Sequence, residues 1–372
     1  MIHAGPTTSP GPEEIGATDA EICLIHGRLD LEAALHVEPG EVLAVVGPNG
    51  SGKTTTLRVL AGLLAVEGGS VAVGGVVVDD PATDTFVLPE RRRVGMVFQD
   101  HLLFPHLDLT ENVAFGLRAR GVGRDEARRR AVAWLDRVGI GELATTRPGE
   151  VSGGQAQRAA LARALVTEPS LLLLDEPLAS LDVTTRTSMR RDLRAHLGGF
   201  GGATVLVTHD ALDALALADR VAVIEDGRIT QAGPLHEVTS TPRTPYVAEL
   251  MGTNLLRGDA EGTRVLLADD SSQAAARTTV VTAEPHHGPV LVLVRPTSVT
   301  LHRDEPTGSP RNRWRFTVTG VDQLVDRVRV HLDGPVPLVA EVTPSAVVEL
   351  QLGTGSTVWA AVKATDLTVV DR

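Results

Sequence analysis

Positive charge, cysteine and long apolar runs are all scarce in this chain of 372 residues. A formal net charge of -12 argues against a nucleic-acid-binding surface, since phosphate backbones are held in positive grooves. The arginine runs Arg91 to Arg93 and Arg128 to Arg130 therefore read as solvated faces. The one cysteine, Cys23, has no partner for a disulfide within the chain; this suggests a reducing compartment and reads as a small buried hydrophobe. No apolar run approaches the roughly 18 residues that a membrane span needs, and MIHAGPTTSPGPEE at the start lacks a basic-then-apolar leader pattern. The expectation is a soluble cytoplasmic protein that reaches a membrane only through another chain. Aromatic residues are few as well: none of Phe, Tyr and Trp occurs from Glu14 to Gly47.

What is present centres on Val42 to Leu57, VLAVVGPNGSGKTTTL. A β-branched apolar run leads into Gly47, Gly52, Lys53 and Thr54 at the GxxxxGK[ST] spacing of a phosphate loop. Gly50 and Gly52 let backbone N–H groups close on a phosphate that side chains would hold off. A helix opening near Lys53 adds its positive end, Lys53 a point charge for the β and γ phosphates, and Thr54 a hydroxyl for Mg²⁺. The nucleotide-binding set is Gly47, Pro48, Asn49, Gly50, Ser51, Gly52, Lys53, Thr54 and Thr55.

The length and a composition of 42% hydrophobic and 22% charged residues imply two domains. Residues 1–18, rich in Pro, Gly, Thr and Ser, read as a disordered tail. From Ala20 a strand, a hairpin and a second strand lead into the phosphate loop, and the following helix carries Leu57, Leu60, Leu63 and Leu64. Leu109 to Leu143 has helical periodicity and no strand signal, with Thr110 as N-cap; it forms part of a helical insertion over about 100–165. After Met251 the texture turns to strand alternation, as in Trp314, Phe316 and Val318 or Val328, Val330 and Leu332. That period of two indicates a small β-barrel or sandwich over 252–372, apart from a short helix near Ser345 to Leu350.

LLLLDEP, Leu171 to Pro177, is a buried strand ending in two carboxylates. At the strand's C-terminal edge these fall beside the phosphate loop, where open α/β sheets bind ligands. Asp175 suits a Mg²⁺-bound water and Glu176 a general base; the alternative is an acidic cap for the next segment.

VSGGQAQRAALARAL at Val151 to Leu165, followed by LLLLDEPLASLD, resembles the signature segment, Walker B strand and D-loop of ABC transporter ATPases. Gln99 resembles the Q-loop residue, and His209 in VLVTHD the switch histidine. The resemblance covers about residues 20 to 250 and implies an α/β P-loop NTPase fold with a helical subdomain over 19–251. It implies ATP and Mg²⁺ as cofactors, with Thr54, Gln99 and Asp175 around the metal and Glu176, His209, Gln99 and Lys53 as the catalytic set. It also implies a head-to-tail homodimer in which Ser152, Gly153, Gly154 and Gln155 of one copy close over nucleotide on the other. Asp182 would couple the two sites. Taken alone, His209 and Gln99 would read as a structural histidine and a surface amide. Family members stack adenine on an aromatic ring before the phosphate loop; here His26 or Leu24 would substitute. Val151 stands where Leu is usual and Ala156 where Arg is common.

QDHLLFPHLDLTENVAFGLRARG, from Gln99, resembles importer ATPases serving oxyanion, iron, polyamine and sugar permeases. Leu103, Phe104, Leu107 and Val113 are candidates for the permease-docking groove, or else simply the insertion's core. VRPTSVTL, SPRNRWRFTVTGV and the segment from Ala340 to Val370 resemble the transport-associated oligobet domain in its molybdate-binding form, an all-β regulatory domain. Ser309, Arg311, Asn312, Thr343, Lys363 and Thr365 are the oxyanion candidates, or residues that cap strands and pair barrels. The resemblance thus implies an ATPase subunit at the cytoplasmic face of the membrane, energising molybdate or tungstate import. Its partners would be permease subunits, a second copy and, indirectly, an extracytoplasmic binding protein. Sulfate or thiosulfate, ferric iron and polyamine importers are the rivals within the class. An oxyanion sensor with vestigial ATPase activity is the rival outside it.

Overall fold

The computed structural model describes residues 16–179, 181–268, 278–324 and 326–371. Its contacts form two compact units, Met1–Leu235 and His236–Arg372. Residues 236–251, expected with the first domain, join the second because the helix Pro245–Leu250 packs on the strand that starts at Asn254.

The first unit holds β1 (Thr18–His26), β2 (Leu29–Val37), β3 (Val42–Val46), β4 (Gly68–Val73), β5 (Val76–Asp80), β6 (Thr85–Phe86), β7 (Val94–Val97), β8 (Leu171–Asp175), β9 (Ala203–Val207), β10 (Arg220–Glu225) and β11 (Arg228–Pro234). They form one sheet in the order β6-β5-β4-β1-β2-β11-β10-β3-β9-β8-β7. The run from β10 through β3, β9 and β8 to β7 is parallel. In β3, β8 and β9 every residue is buried, as expected of strands covered on both faces, and the apolar runs VLAVV, LLLLD and ATVLV supply that cover. In β1 buried and exposed residues alternate, so it turns one face to solvent. Thr18 is buried and pairs with Val37, so the expected tail ends before it; residues 1–15 lie outside the described residues.

Among the described residues six α-helices belong wholly to this unit: α1 (Lys53–Leu60), α2 (Leu109–Ala119), α3 (Arg124–Arg137), α4 (Gly153–Leu165), α5 (Val183–Gly198) and α6 (Ala211–Leu217). Helix α1 stops short of Leu63 and Leu64, because Gly62 takes φ +78 and the chain leaves the helix there. Asp108, not Thr110, caps α2 by accepting from Glu111 N–H at 2.7 Å; the Thr110 hydroxyl donates to the Ala144 carbonyl. Val113 is fully buried among Leu109, Leu117, Ala131 and Leu135, so it belongs to the helical subdomain's own core. Leu103 packs against that core, whereas Leu102 and Phe115 are exposed. Phe104 and Leu107 are half-buried, and the Phe104 and Phe115 rings lie 4.7 Å apart.

Two further expectations about single residues fail. Cys23 is exposed, because it falls on the outward face of β1. Arg92 is fully buried, because its guanidinium has work inside the fold. Nε donates to the Val87 carbonyl at 2.8 Å, and Nη1 to Val59 and Leu60 at the end of α1. Nη2 reaches the Val78 carbonyl and the buried Asp79 carboxylate at 3.2 and 3.5 Å.

The second unit carries α7 (Leu235–Ser240), α8 (Pro245–Leu250) and α9 (Pro344–Leu350), with α7 starting at the junction. Its strands are β12 (Asn254–Leu267), β13 (Thr279–Val294), β14 (Thr300–His302), β15 (Asn312–Gln323), β16 (Val328–Asp333), β17 (Leu338–Val342), β18 (Thr357–Val362) and β19 (Leu367–Asp371). Sheets β12-β13-β19 and β14-β18-β15-β16-β17 share one core that includes Val290, Val292, Phe316, Val318 and Val330.

Candidate nucleotide site

Parallel register brings the chemistry to one edge of the first sheet. Val97 pairs with Leu174, and Asp175 and Val45 both pair with Val207. Gln99, Asp175, Glu176 and His209 therefore leave their strands beside the loop that leaves β3. Gln99 is exposed there.

The loop fits a phosphate. Gly50 and Gly52 adopt φ +80 and +114, and a Cβ on Gly47 would stand 2.0 Å from the Ile224 carbonyl oxygen, so glycine is required at all three. The Ser51 hydroxyl is buried with no hydrogen-bond partner, a group that phosphate oxygens would satisfy. Lys53 Nζ is held over the loop by the carbonyls of Gly47 and Pro48, both at 2.8 Å. Burial pushes its pKa below the ordinary lysine value, opposed by the charges of Glu176 and Asp175.

Thr54 Oγ1 lies 3.5 Å from Asp175 Oδ1. Burial, then the charge of Glu176, raises the Asp175 pKa, while Thr54 works the other way. This concentration of poorly compensated negative charge beside a hydroxyl is the hard-oxygen chemistry that suits Mg²⁺. Glu176 has φ +46, a left-handed backbone rare for a residue of its kind. Its N–H donates to the Val207 carbonyl at 2.9 Å, and its Oε2 lies 3.1 Å from His209 Nδ1. Glu176 and His209, the residues expected to act as general base and switch histidine, are thus in direct contact.

Ser152 caps α4: its hydroxyl accepts from Gln155 N–H at 3.4 Å while Gln155 Oε1 accepts from Ser152 N–H at 2.8 Å. Ser152 and Gly153 stay exposed, leaving a positive helix end open to solvent. Asp182 caps α5 through Thr185 N–H at 3.0 Å. Of the two proposed adenine contacts, Leu24 is buried. His26 is exposed at the hairpin tip, paired with Leu29, a leucine the sequence reading passed over. Leu29 methyls lie 3.4 and 3.8 Å from the Cβ position of Gly52.

The oxyanion candidates are only partly gathered. Asn312 is buried, and its amide bridges to Val281, accepting from N–H at 2.6 Å and donating to the carbonyl at 2.9 Å. Thr343 caps α9. Register pairs Asn312 with Val362, so exposed Arg311 and Lys363 flank that pair, each one residue beyond the end of its strand. Ser309 and Thr365 are also exposed.

A phosphate loop on a parallel sheet, with paired carboxylates two strands away, defines a P-loop nucleoside-triphosphatase. Residues 32–179 match the ABC transporter family, and residues 308–369 the TOBE domain. The molybdenum import ATP-binding protein ModC of Mycobacterium tuberculosis is 43% identical over 348 residues, 91% of this chain and 93% of that protein. The molybdate/tungstate import ATP-binding protein WtpC of Pyrococcus horikoshii is 35% identical over 340 residues, 91% and 94% respectively. The Fe(3+) ions import ATP-binding protein FbpC 1 of Rhizobium meliloti, 41% identical over 277 residues, spans 73% of this chain and 75% of its own. A solved ATP-binding cassette, MJ0796, described as a dimer in a post-hydrolysis state bound to ADP and Pi, superposes with TM-score 0.50 at 29% identity, covering 59% of this chain and 98% of that one. The chain belongs to the ABC transporter family, among its import ATP-binding proteins. No helix among the described residues is long and apolar enough to cross a membrane.

Proposed function

We propose that this chain hydrolyses ATP to drive molybdate or tungstate import, as a homodimer at the cytoplasmic face of the membrane. The observation that carries the hydrolytic half is the convergence at one sheet edge. Lys53 stands over the phosphate loop, Thr54 and Asp175 are 3.5 Å apart, and Glu176 is 3.1 Å from His209. Lys53 holds the β and γ phosphates, and the Ser152 turn of the second copy caps the γ-phosphate from outside. Glu176 Oε takes the proton of the attacking water; His209 fixes that carboxylate's orientation. Gln99 completes the ring of groups around the γ-phosphate, and Thr54 with Asp175 would hold Mg²⁺. When bound, the ion would supply charge neutralisation at the β and γ phosphates.

The choice of anion is supported by the similarity to ModC and WtpC, which runs through the C-terminal unit as well. The chain has only two lysines, Lys53 and Lys363. One stands at the phosphate loop and the other beside Arg311, where two cations meet an anion with no carboxylate in the set. Permease subunits supplied by an external binding protein complete the importer. Leu102, Phe104 and Phe115 offer the apolar surface for a permease helix.

Two measurements test this reading. Glu176→Gln should lower ATP turnover by about 10²- to 10⁴-fold with nucleotide binding retained; unchanged turnover rejects the assignment. Calorimetric titration of the full chain with molybdate, tungstate and sulfate should give heat for the first two. Silence with all three at millimolar concentration removes anion binding by the C-terminal unit.

A further inference from the structure

We propose that Arg186 is a positioning residue that ties the turn after Glu176 to the turn carrying His209. This deepens the hydrolytic reading above and rests on it. Arg186 lies in the first turns of α5, and its guanidinium spans two loops. Nη1 donates to Asp210 Oδ2 at 3.1 Å. Nη2 donates to the carbonyls of Ala179 and Leu181 at 3.2 and 3.4 Å, immediately before Asp182.

Each end of that link is fastened to a catalytic group. Ala179 N–H donates to the Glu176 carbonyl at 3.2 Å. Asp210 follows His209 directly, and its other oxygen caps α6 through Leu212 N–H at 2.7 Å. Its own N–H donates to Thr208 Oγ1 at 3.1 Å. The Glu176–His209 contact at 3.1 Å closes a ring: Glu176, Ala179, Arg186, Asp210, His209 and back to Glu176. Both side chains of the Arg186–Asp210 pair are about three-quarters buried, at 24% and 23% exposed, so the pair is better shielded from solvent screening than a surface pair. The planar fork matters, because one cation must reach a carboxylate and two carbonyls at once. A lysine can satisfy one of these and leaves the others slack.

A ring of this kind makes the base and the histidine move as one body. Displacement of the Asp182 turn by a second subunit is passed through the Arg186 fork to His209 instead of being absorbed by the loop. Arg186 touches neither the phosphate loop nor Lys53, so its loss disturbs turnover and spares nucleotide binding.

A control lies one turn along the same helix. Arg190 donates to Asp213 Oδ1 through Nε at 2.9 Å and also through Nη2, joining α5 to α6 without reaching the Ala179 and Leu181 carbonyls. Arg190→Gln with Asp213→Asn removes that link and both buried charges together. The experiment compares Arg186→Ala, Arg186→Lys and this double variant in the full chain, by steady-state ATPase kinetics and hydrogen exchange. Arg186→Ala is expected to lower kcat about tenfold or more with KM for ATP within about threefold. Arg186→Lys should recover less than half of the loss. The control should keep kcat within about twofold at a similar or larger fall in melting temperature. Exchange in Arg186→Ala should quicken together at residues 179–182 and 210–213, whereas the control quickens α6 alone. Unchanged kcat in Arg186→Ala, an equal kcat loss in the control, or exchange confined to α6 overturns the proposal. If the wild-type chain turns over no ATP, the hydrolytic reading falls, and the exchange comparison still decides whether the two turns are linked.

Discussion

Arg92→Met offers the sharpest test of how the nucleotide unit is held together. The substitution keeps most of the buried volume and removes the charge and every donor. The Val59 carbonyl keeps a bond from Gly62 N–H, and the Val78 carbonyl keeps one from Val87 N–H. The loss falls on the carbonyls of Leu60 and Val87 and on Asp79, whose carboxylate is left buried without its cation. Breaking a buried ion pair from one side costs about 3–5 kcal/mol. Asp79 can take up a proton, since burial already raises its pKa, and this caps the cost near the middle of that range, about 4 kcal/mol. For a unit of this size each kcal/mol shifts the melting temperature by about 2–4 °C, so a fall of about 8–16 °C is expected. Scanning calorimetry of the full chain reads it directly on the transition of the ATPase unit. Adding Asp79→Asn to Arg92→Met should restore part of the loss, because the stranded carboxylate goes with it. A fall of less than about 3 °C, or no recovery in the double variant, refutes the buried-clamp account.

Two further outcomes follow from single residues. Burial lowers the His101 pKa below 6.5, with Arg163 acting in the same direction and Asp100 against it, so in that window the folded chain binds fewer protons than the unfolded one. Its contribution to stability is complete above pH 6.5 and is lost as pH falls through the folded pKa. His101→Asn, which also suits the local φ of +60, should flatten the pH dependence of urea midpoints below pH 6.5. A slope unchanged from wild type dismisses His101 as its source. The hairpin tip His26-Gly27-Arg28-Leu29 carries no Phe, Tyr or Trp to stack on a base, so dissociation constants for ATP and GTP should agree within about threefold in equilibrium dialysis. A preference beyond about thirtyfold would mean that a base-reading contact exists elsewhere.

The phosphate loop and the carboxylates at the end of β8 were legible because each depends on local chemistry: glycine where side chains cannot fit, and an apolar run where a strand is buried on both faces. Arg92 was not, because its place between two exposed arginines is set by Asp79 and the end of α1, partners that sequence does not bring near. Cys23 and Leu24 are adjacent, yet the face each takes depends on the register with β2, which puts one outside and the other in. Thr110 was chosen as a cap on residue type; Asp108 wins because its carboxylate reaches Glu111 N–H while the threonine hydroxyl is drawn to Ala144. The oxyanion candidates were chosen on residue type alone. Asn312 and Thr343 are spent on backbone groups, which only the folded sheets reveal.

The left-handed backbone of Glu176 has a consequence for how this protein evolves. A glycine there would relax the turn and gain roughly 1 kcal/mol, while erasing the carboxylate proposed as the base. Drift toward sturdier folds therefore pushes against this position, and on the proposed mechanism demand for turnover is what keeps a carboxylate in it. A copy freed from that demand should lose its glutamate early, and become more robust as it falls silent.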